Sequence, residues 1–237
     1  MRKIILISLC CIFIFTTIRA EKKPRNKDQR FNFGLIGGVN APFISNRGFF
    51  INWHEAELPS NESGIGAMIA IFGRTNINRH YLQFEVGTSF YRNKTIFDID
   101  KFNAATTIQT SINASAFTLD IPLLYGYNFV KKAPYELSLF AGPKMRYTYK
   151  YNDTPDNFGT YIFDINEPIH PITGSFIIGM ATKISRFILD FRYEFAITVQ
   201  SKPGTYYLYE GESLLSQGSI YMKRATNLLS FSLGVIL

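Results

Sequence analysis

Residues 117–129 read FTLDIPLLYGYNF, and their parity decides the fold. The odd positions are Phe117, Leu119, Ile121, Leu123, Tyr125, Tyr127 and Phe129; the even ones are Thr118, Asp120, Pro122, Leu124, Gly126 and Asn128. A period of two is that of a β-strand with unlike faces, because successive side chains leave the backbone on opposite sides. Residues 187–199 repeat it: Phe187, Leu189, Phe191, Tyr193, Phe195, Ile197 and Val199 alternate with Ile188, Asp190, Arg192, Glu194, Ala196 and Thr198. The chain closes in the same way, with Leu229, Phe231, Leu233, Val235 and Leu237 set against Ser230, Ser232 and Gly234.

Weaker alternation predicts five further strands, over residues 31–39, 64–72, 81–90, 135–149 and 172–184. The expected fold is therefore all-β, an eight-stranded antiparallel up-and-down transmembrane barrel. The connections support it. They span about 40–63, 73–80, 91–116, 130–134, 150–171, 185–186 and 200–228, so long and short alternate throughout. A barrel of the outer membrane carries short turns on its periplasmic rim and long loops outside. With both termini periplasmic, the first connection should be long, as it is.

Which parity faces lipid follows from side-chain size. The polar parity is rich in Gly, Ser, Ala and Thr, which suits an interior only wide enough for side chains. The apolar parity carries large aromatics to the strand ends, as a lipid face with aromatic girdles does. Tyr147, Tyr149 and Tyr151 are expected in such a girdle. The opposite assignment, apolar inward, would make a soluble lipocalin-like carrier.

On the polar parity lie Glu85, Asp120, Glu136, Lys144, Arg146, Lys183, Asp190, Arg192 and Glu194. Buried charges of both signs are expected to pair, since an unpaired one costs several kcal/mol. These nine residues are the candidate site, an ion network closing the lumen; the competing expectation is a selective pore. Folding one hairpin about Lys132 sets Asp120 opposite Lys144 and Thr118 opposite Arg146. Folding the next about residues 185–186 sets Asp190 and Arg192 opposite Ala181 and Gly179.

Residues 1–20 read MRKIILISLCCIFIFTTIRA, a charged start, a short apolar run and Ala20, which together form a signal peptide. Both cysteines, Cys10 and Cys11, lie inside it, so the remainder has no disulfide, thiol nucleophile or zinc thiolate. Removing Arg2, Lys3 and Arg19 takes three charges from the formal +7 and leaves +4. Residues 21–30, EKKPRNKDQR, form a charged periplasmic leader, and 31–237 the barrel domain. Export and the scattered charge argue against nucleic acid as a partner; outer-membrane lipid is the expected one.

His54, His80 and His170 share no metal-ligand spacing, and no cofactor or catalytic motif occurs. A barrel enzyme acting on lipid or peptide would use His54 or His170 as its base; the expectation is that the chain is not an enzyme. The N-x-[ST] triplets at Asn61, Asn93 and Asn113 are placed in loops.

In this order, several segments resemble the PorT-like family of outer-membrane β-barrels from Bacteroidetes. They are FNFGLIGGVN (31–40), FTLDIPLLYGYNF (117–129), PYELSLFAGPKMRY (134–147), FILDFRYEFAITV (187–199) and NLLSFSLGVIL (227–237). The resemblance implies an outer-membrane location and a small barrel without known enzymatic activity; some members are tied to type IX secretion or gliding, most have no assigned role, and envelope or secretion-system proteins are the partners it implies. The chain departs from common outer-membrane barrels in ending on Leu237 rather than an aromatic.

Overall fold

Eight long strands hydrogen-bond into a closed ring in the computed structural model, which describes residues 30–100, 107–156 and 161–237. The expected signal peptide and nearly all of the leader lie outside the described residues. The ring runs β1 (Phe31–Ile51), β4 (Gly66–Ile77), β5 (His80–Asp100), β6 (Thr107–Lys132), β7 (Tyr135–Asp156), β9 (Ile172–Ile184), β10 (Phe187–Ala196) and β12 (Ser213–Ile236). Antiparallel pairing of β1 with β12 closes it, from Gly34 opposite Ile236 to Ile51 opposite Ile220. Closure leaves no free edge within the membrane, where no water could satisfy one.

One rim is drawn tight. Turns at Asn78–Arg79 and Ser185–Arg186 place Asn78 and Ser185 in the left-handed region, at φ 57° and 56°, which short polar side chains tolerate. The Ser185 amide donates to the Pro134 carbonyl, and the Leu237 amide donates to Phe33, so the turns and the chain end share this periplasmic rim. Leu237 keeps the outward parity and is exposed.

The face assignment is membrane-type. Phe31 and Phe33 are each 64% exposed, whereas Glu85 and Arg192 inside are 1% and 4% exposed. A carrier with an apolar interior would show the reverse. The outward apolar run on β6, from Phe117 to Phe129, rises about 3.3 Å per residue along a strand tilted by about 40°, giving a belt about 30 Å tall.

Beyond the belt the structure departs from expectation. The long connections are largely strand: β1, β5, β6, β7 and β12 continue outward, joined by β2 (His54–Glu55), β3 (Ser60–Ser63), β8 (Tyr161–Asn166) and β11 (Gly204–Glu210). There β3 pairs with β5, β11 with β12, and β8 with β11. Asn61, Asn93 and Asn113 accordingly stand in strands, not loops. The apolar pattern hides these extensions because it changes phase where lipid gives way to water. On β6 the outward series passes from Phe117 to Ser115 and Asn113, while the inward one becomes Ala116, Ala114 and Ile112. On β12 the inward Ser232 and Ser230 give way to Leu228, Met222 and Ile220. Phe49, Ile112, Ile165, Tyr206, Leu208, Ile220 and Met222 form a second apolar core above the membrane.

Candidate functional site

The lumen is filled in layers. Nearest the periplasm, Ile36, Phe72, Tyr81, Leu124, Phe140, Ile177, Ile188 and Ile236 form a buried apolar plug. Inward glycines admit its rings: a Cβ on Gly126 would collide with Cζ of Tyr81, and one on Gly179 would collide with Cζ of Phe140.

Above the plug lies the ion belt, and seven of the nine expected residues meet in it. Asp120 on β6 accepts from Lys144 Nζ at 2.8 Å and from Arg146 Nε at 3.0 Å, both on β7. Glu194 on β10 accepts from the same two cations through Oε2, at 2.7 Å from Lys144 and 2.9 Å from Arg146. Arg192 holds Asp190 at 2.6 Å and reaches Glu85 on β5 at 3.0 Å. Ser89 donates to Asp120 at 2.8 Å. Arg146 lies 5.6 Å from the centre of the Tyr91 ring above, and Arg192 lies 5.6 Å from that of Phe140 below, which packs the belt between rings.

Glu136 and Lys183 stand apart. They pair with each other at 2.5 Å close to the periplasmic mouth, with about a fifth of each side chain exposed. Arg74 was not foreseen because it follows residues 64–72, in a stretch read as a turn. It donates to Gln83 at 2.6 Å, and Gln83 donates to Glu85 at 2.5 Å. Among the described residues, the belt thus sets Glu85, Asp120, Asp190 and Glu194 against Arg74, Lys144, Arg146 and Arg192, four charges of each sign. Such a balance is what a desolvated network requires, since removing one partner of a pair strands a buried charge.

The register of the β6–β7 hairpin corrects one expectation. Arg146, not Lys144, lies opposite Asp120, while Lys144 lies opposite Pro122 and Thr118 opposite Thr148. The turn centres on Ala133–Pro134 rather than Lys132, and an irregularity between Asn128 and Val130 takes back one residue of that offset, so two remain at Asp120. Both cations are long enough to reach Asp120 regardless. The β9–β10 hairpin has the expected register, Asp190 opposite Ala181 and Arg192 opposite Gly179.

A second shift, at Phe117/Thr118, re-aims the end of β7. Phe117 lies opposite Lys150 and Thr118 opposite Thr148, which leaves Tyr149 as the extra residue of a bulge. Tyr147 and Tyr149 face outward, at 44% and 54% exposed, as a girdle requires. Tyr151 does not. It packs inward against Tyr91, Ala116 and Leu228, and its hydroxyl accepts from Arg224 at 3.1 Å.

Arg224 also holds Glu167, which lies between β8 and β9 outside the membrane-spanning part. Burial pushes the Glu167 carboxyl up to about 7; Arg224 opposes that rise and Asp153 adds to it. This cluster was missed because Glu167 and Arg224 fall within the connections at 150–171 and 200–228.

His54 on β2 and His170 before β9 are both exposed. The His80 ring lies 2.5 Å from the hydroxyl of Tyr125 on the outer surface of the barrel.

Two small cavities lie inside among the described residues. A cavity of ≈ 20 Å³ lies among Asn40, Glu85, Asp120, Lys144, Arg192 and Glu194, room for about one water. A second, of ≈ 10 Å³, lies beside Tyr91, Gln200 and Arg224.

Closed antiparallel ring, lipid-facing apolar belt and charged lumen agree with a family model for the outer membrane protein beta-barrel domain, which matches residues 20–199. The chain belongs to that family. It is a small β-barrel of the outer membrane, and its final strand, beyond the matched residues, supplies the closure described above. Among solved structures it is similar to the outer membrane protein OprG from Pseudomonas aeruginosa, at 7% identity and TM-score 0.50, over 87% of this chain and 95% of that one. A major outer membrane protein from Thermus thermophilus aligns at 14% identity and TM-score 0.47, over 87% of this chain and 99% of that one. At such identities the likeness with OprG concerns the fold alone. No curated protein matches the chain in sequence.

Proposed function

We propose that this outer-membrane barrel is a non-enzymatic accessory of type IX protein secretion, a PorT-like protein of the Bacteroidetes or a paralogue of one, and that its lumen conducts nothing. The observation that carries the closed-lumen part is the transverse ion belt, seated on the apolar plug, with a cavity of only ≈ 20 Å³ among its residues. An interior packed in this way leaves the surfaces outside the lumen for partners. The strands continued above the membrane offer a second, folded tier for contact with envelope or secretion-system proteins. The tie to secretion itself rests on the ordered motifs at 31–40, 117–129, 134–147, 187–199 and 227–237.

The test is a deletion strain assayed for release of a type IX cargo, with the tagged barrel recovered from mild detergent. Loss of cargo from the medium, together with co-recovery of secretion components, is the expected result. Normal secretion with no such component recovered overturns the assignment. Hydrolysis of lipid or peptide by the purified barrel, abolished by replacing His54 or His170, would instead establish an enzyme.

A further inference from the structure

The bulge at Tyr149 has a consequence on the outer wall. By turning Tyr151 inward it brings Lys150, Asn152 and Thr154 to the outside of β7. Cross-strand pairing then aligns three outward rows over β5, β6 and β7. The lowest is Phe90, Phe117 and Lys150; the next is Arg92, Ser115 and Asn152; the highest is Lys94, Asn113 and Thr154.

The lowest row is the upper edge of the lipid-facing belt. Phe90 and Phe117 pack as a tilted pair 4.6 Å apart, centre to centre, and Tyr149 lies 6.3 Å from Phe117. The cations stand on these rings: Arg92 lies 5.1 Å from the centre of Phe90, and Lys150 lies 5.9 Å from that of Phe117. Each keeps its stem on apolar surface and its charge at the water boundary. Above them opens a groove of ≈ 550 Å³ whose lining includes Arg92, Lys94, Asn113, Ser115 and Thr154. Its size is that of a small-molecule site. Glu62, across the strand pair from Lys94, also lines it, so Lys94 has a carboxylate neighbour and the main positive charge falls to Arg92 and Lys150.

We infer that this outer face of β5–β7 binds the phosphorylated sugar headgroup of an outer-leaflet glycolipid. Three layers of chemistry match three parts of such a lipid. Phe90, Phe117 and Tyr149 meet acyl chains as a continuation of the membrane belt. Arg92 and Lys150 meet a phosphate at the interface, Arg92 through its planar donor fork. Ser115, Asn113 and Thr154 offer hydroxyl and amide groups to sugar hydroxyls. A free anion would need the cations alone; the aromatic row beneath them and the polar groove above them favour a ligand that spans both.

The test uses the full barrel in detergent micelles, with lipid binding read by native mass spectrometry. The probes are lipid A carrying its phosphates, the same lipid dephosphorylated, and inorganic phosphate as competitor, all in chelator. Removing the cations with Arg92→Gln and Lys150→Gln should weaken phosphorylated lipid A by about tenfold or more and leave the dephosphorylated lipid unaffected. Lys223→Gln, on β12, should change neither. Equal binding of phosphorylated lipid by wild type and double variant overturns the inference, as does an equal loss in the Lys223 variant. Displacement by inorganic phosphate at the lipid's own concentration would make this a free-anion site and overturn the headgroup assignment. Unaltered heat-modifiable mobility of each variant shows that the barrel has folded.

Discussion

Arg192 and Glu85 stand on strands four places apart in a ring of eight, and the guanidinium Nη1 nevertheless lies 3.0 Å from the carboxylate Oε2. A contact between diametrically opposite walls divides the lumen. It is possible because eight strands enclose a width that two extended side chains can cross, and because Gly179 and Ser230 flank Arg192 on the neighbouring strands.

Depth should decide what these pairs contribute. Glu85→Gln leaves Arg192 in a desolvated site with Asp190 as its remaining partner and should cost about 3 kcal/mol. Lys183→Gln at the partly open periplasmic mouth should cost less than about 1 kcal/mol. Urea unfolding in lipid vesicles, followed by heat-modifiable mobility, measures both; equal losses would contradict the layered lumen.

The plug makes a steric prediction. Gly126→Ala would press a methyl group into the Tyr81 ring, whose hydroxyl is tied to Ser138 at 3.2 Å. Such overpacking should destabilise the barrel by about 1–3 kcal/mol. In a Tyr81→Ala background, itself destabilised by the lost ring, Gly126→Ala should cost less than it does in the wild type, and the same unfolding assay reads that coupling.

Glu167 gives the outer tier a pH dependence of definite sign. Its carboxyl is raised from 4.5 to about 7 in the folded protein, mainly by burial. Between those values the folded state holds a proton that the unfolded state has lost, so stability falls as pH rises through the window and levels off above it. Amide exchange at Gln200, whose N–H donates to the Arg224 carbonyl, should be less protected at pH 7.5 than at pH 5, after correction for intrinsic rate. Glu167→Gln should flatten the difference; an unchanged slope would assign it elsewhere.

The bulge can be located chemically. In a chain beginning at Glu21 neither native cysteine is present. Tyr149→Cys should then label with a membrane-permeant maleimide, and Tyr151→Cys should resist it. Equal labelling would mean that β7 keeps its lower register to the top.

Residues 117–129 and 187–199 revealed the barrel because lipid outside and a narrow lumen inside impose opposite chemistry on the two parities. The belt residues were legible for the same reason, as charges on a face of small side chains. Legibility stopped where that contrast stopped. Past Phe117 the outside becomes water and the apolar residues move inward, so Ala116, Ala114 and Ile112 read as loop although they are strand. Arg224 and Glu167 were lost with them. Tyr151 was misplaced because one extra residue reverses every parity after it, and no side chain announces such a bulge.

The closed lumen is tested most directly by ion conductance across planar lipid bilayers containing the purified, folded barrel. The ion belt and plug predict no stepwise current above the bare membrane at any applied voltage. Resolved, reproducible conductance steps from the wild-type protein would contradict closure and make the belt a selectivity filter.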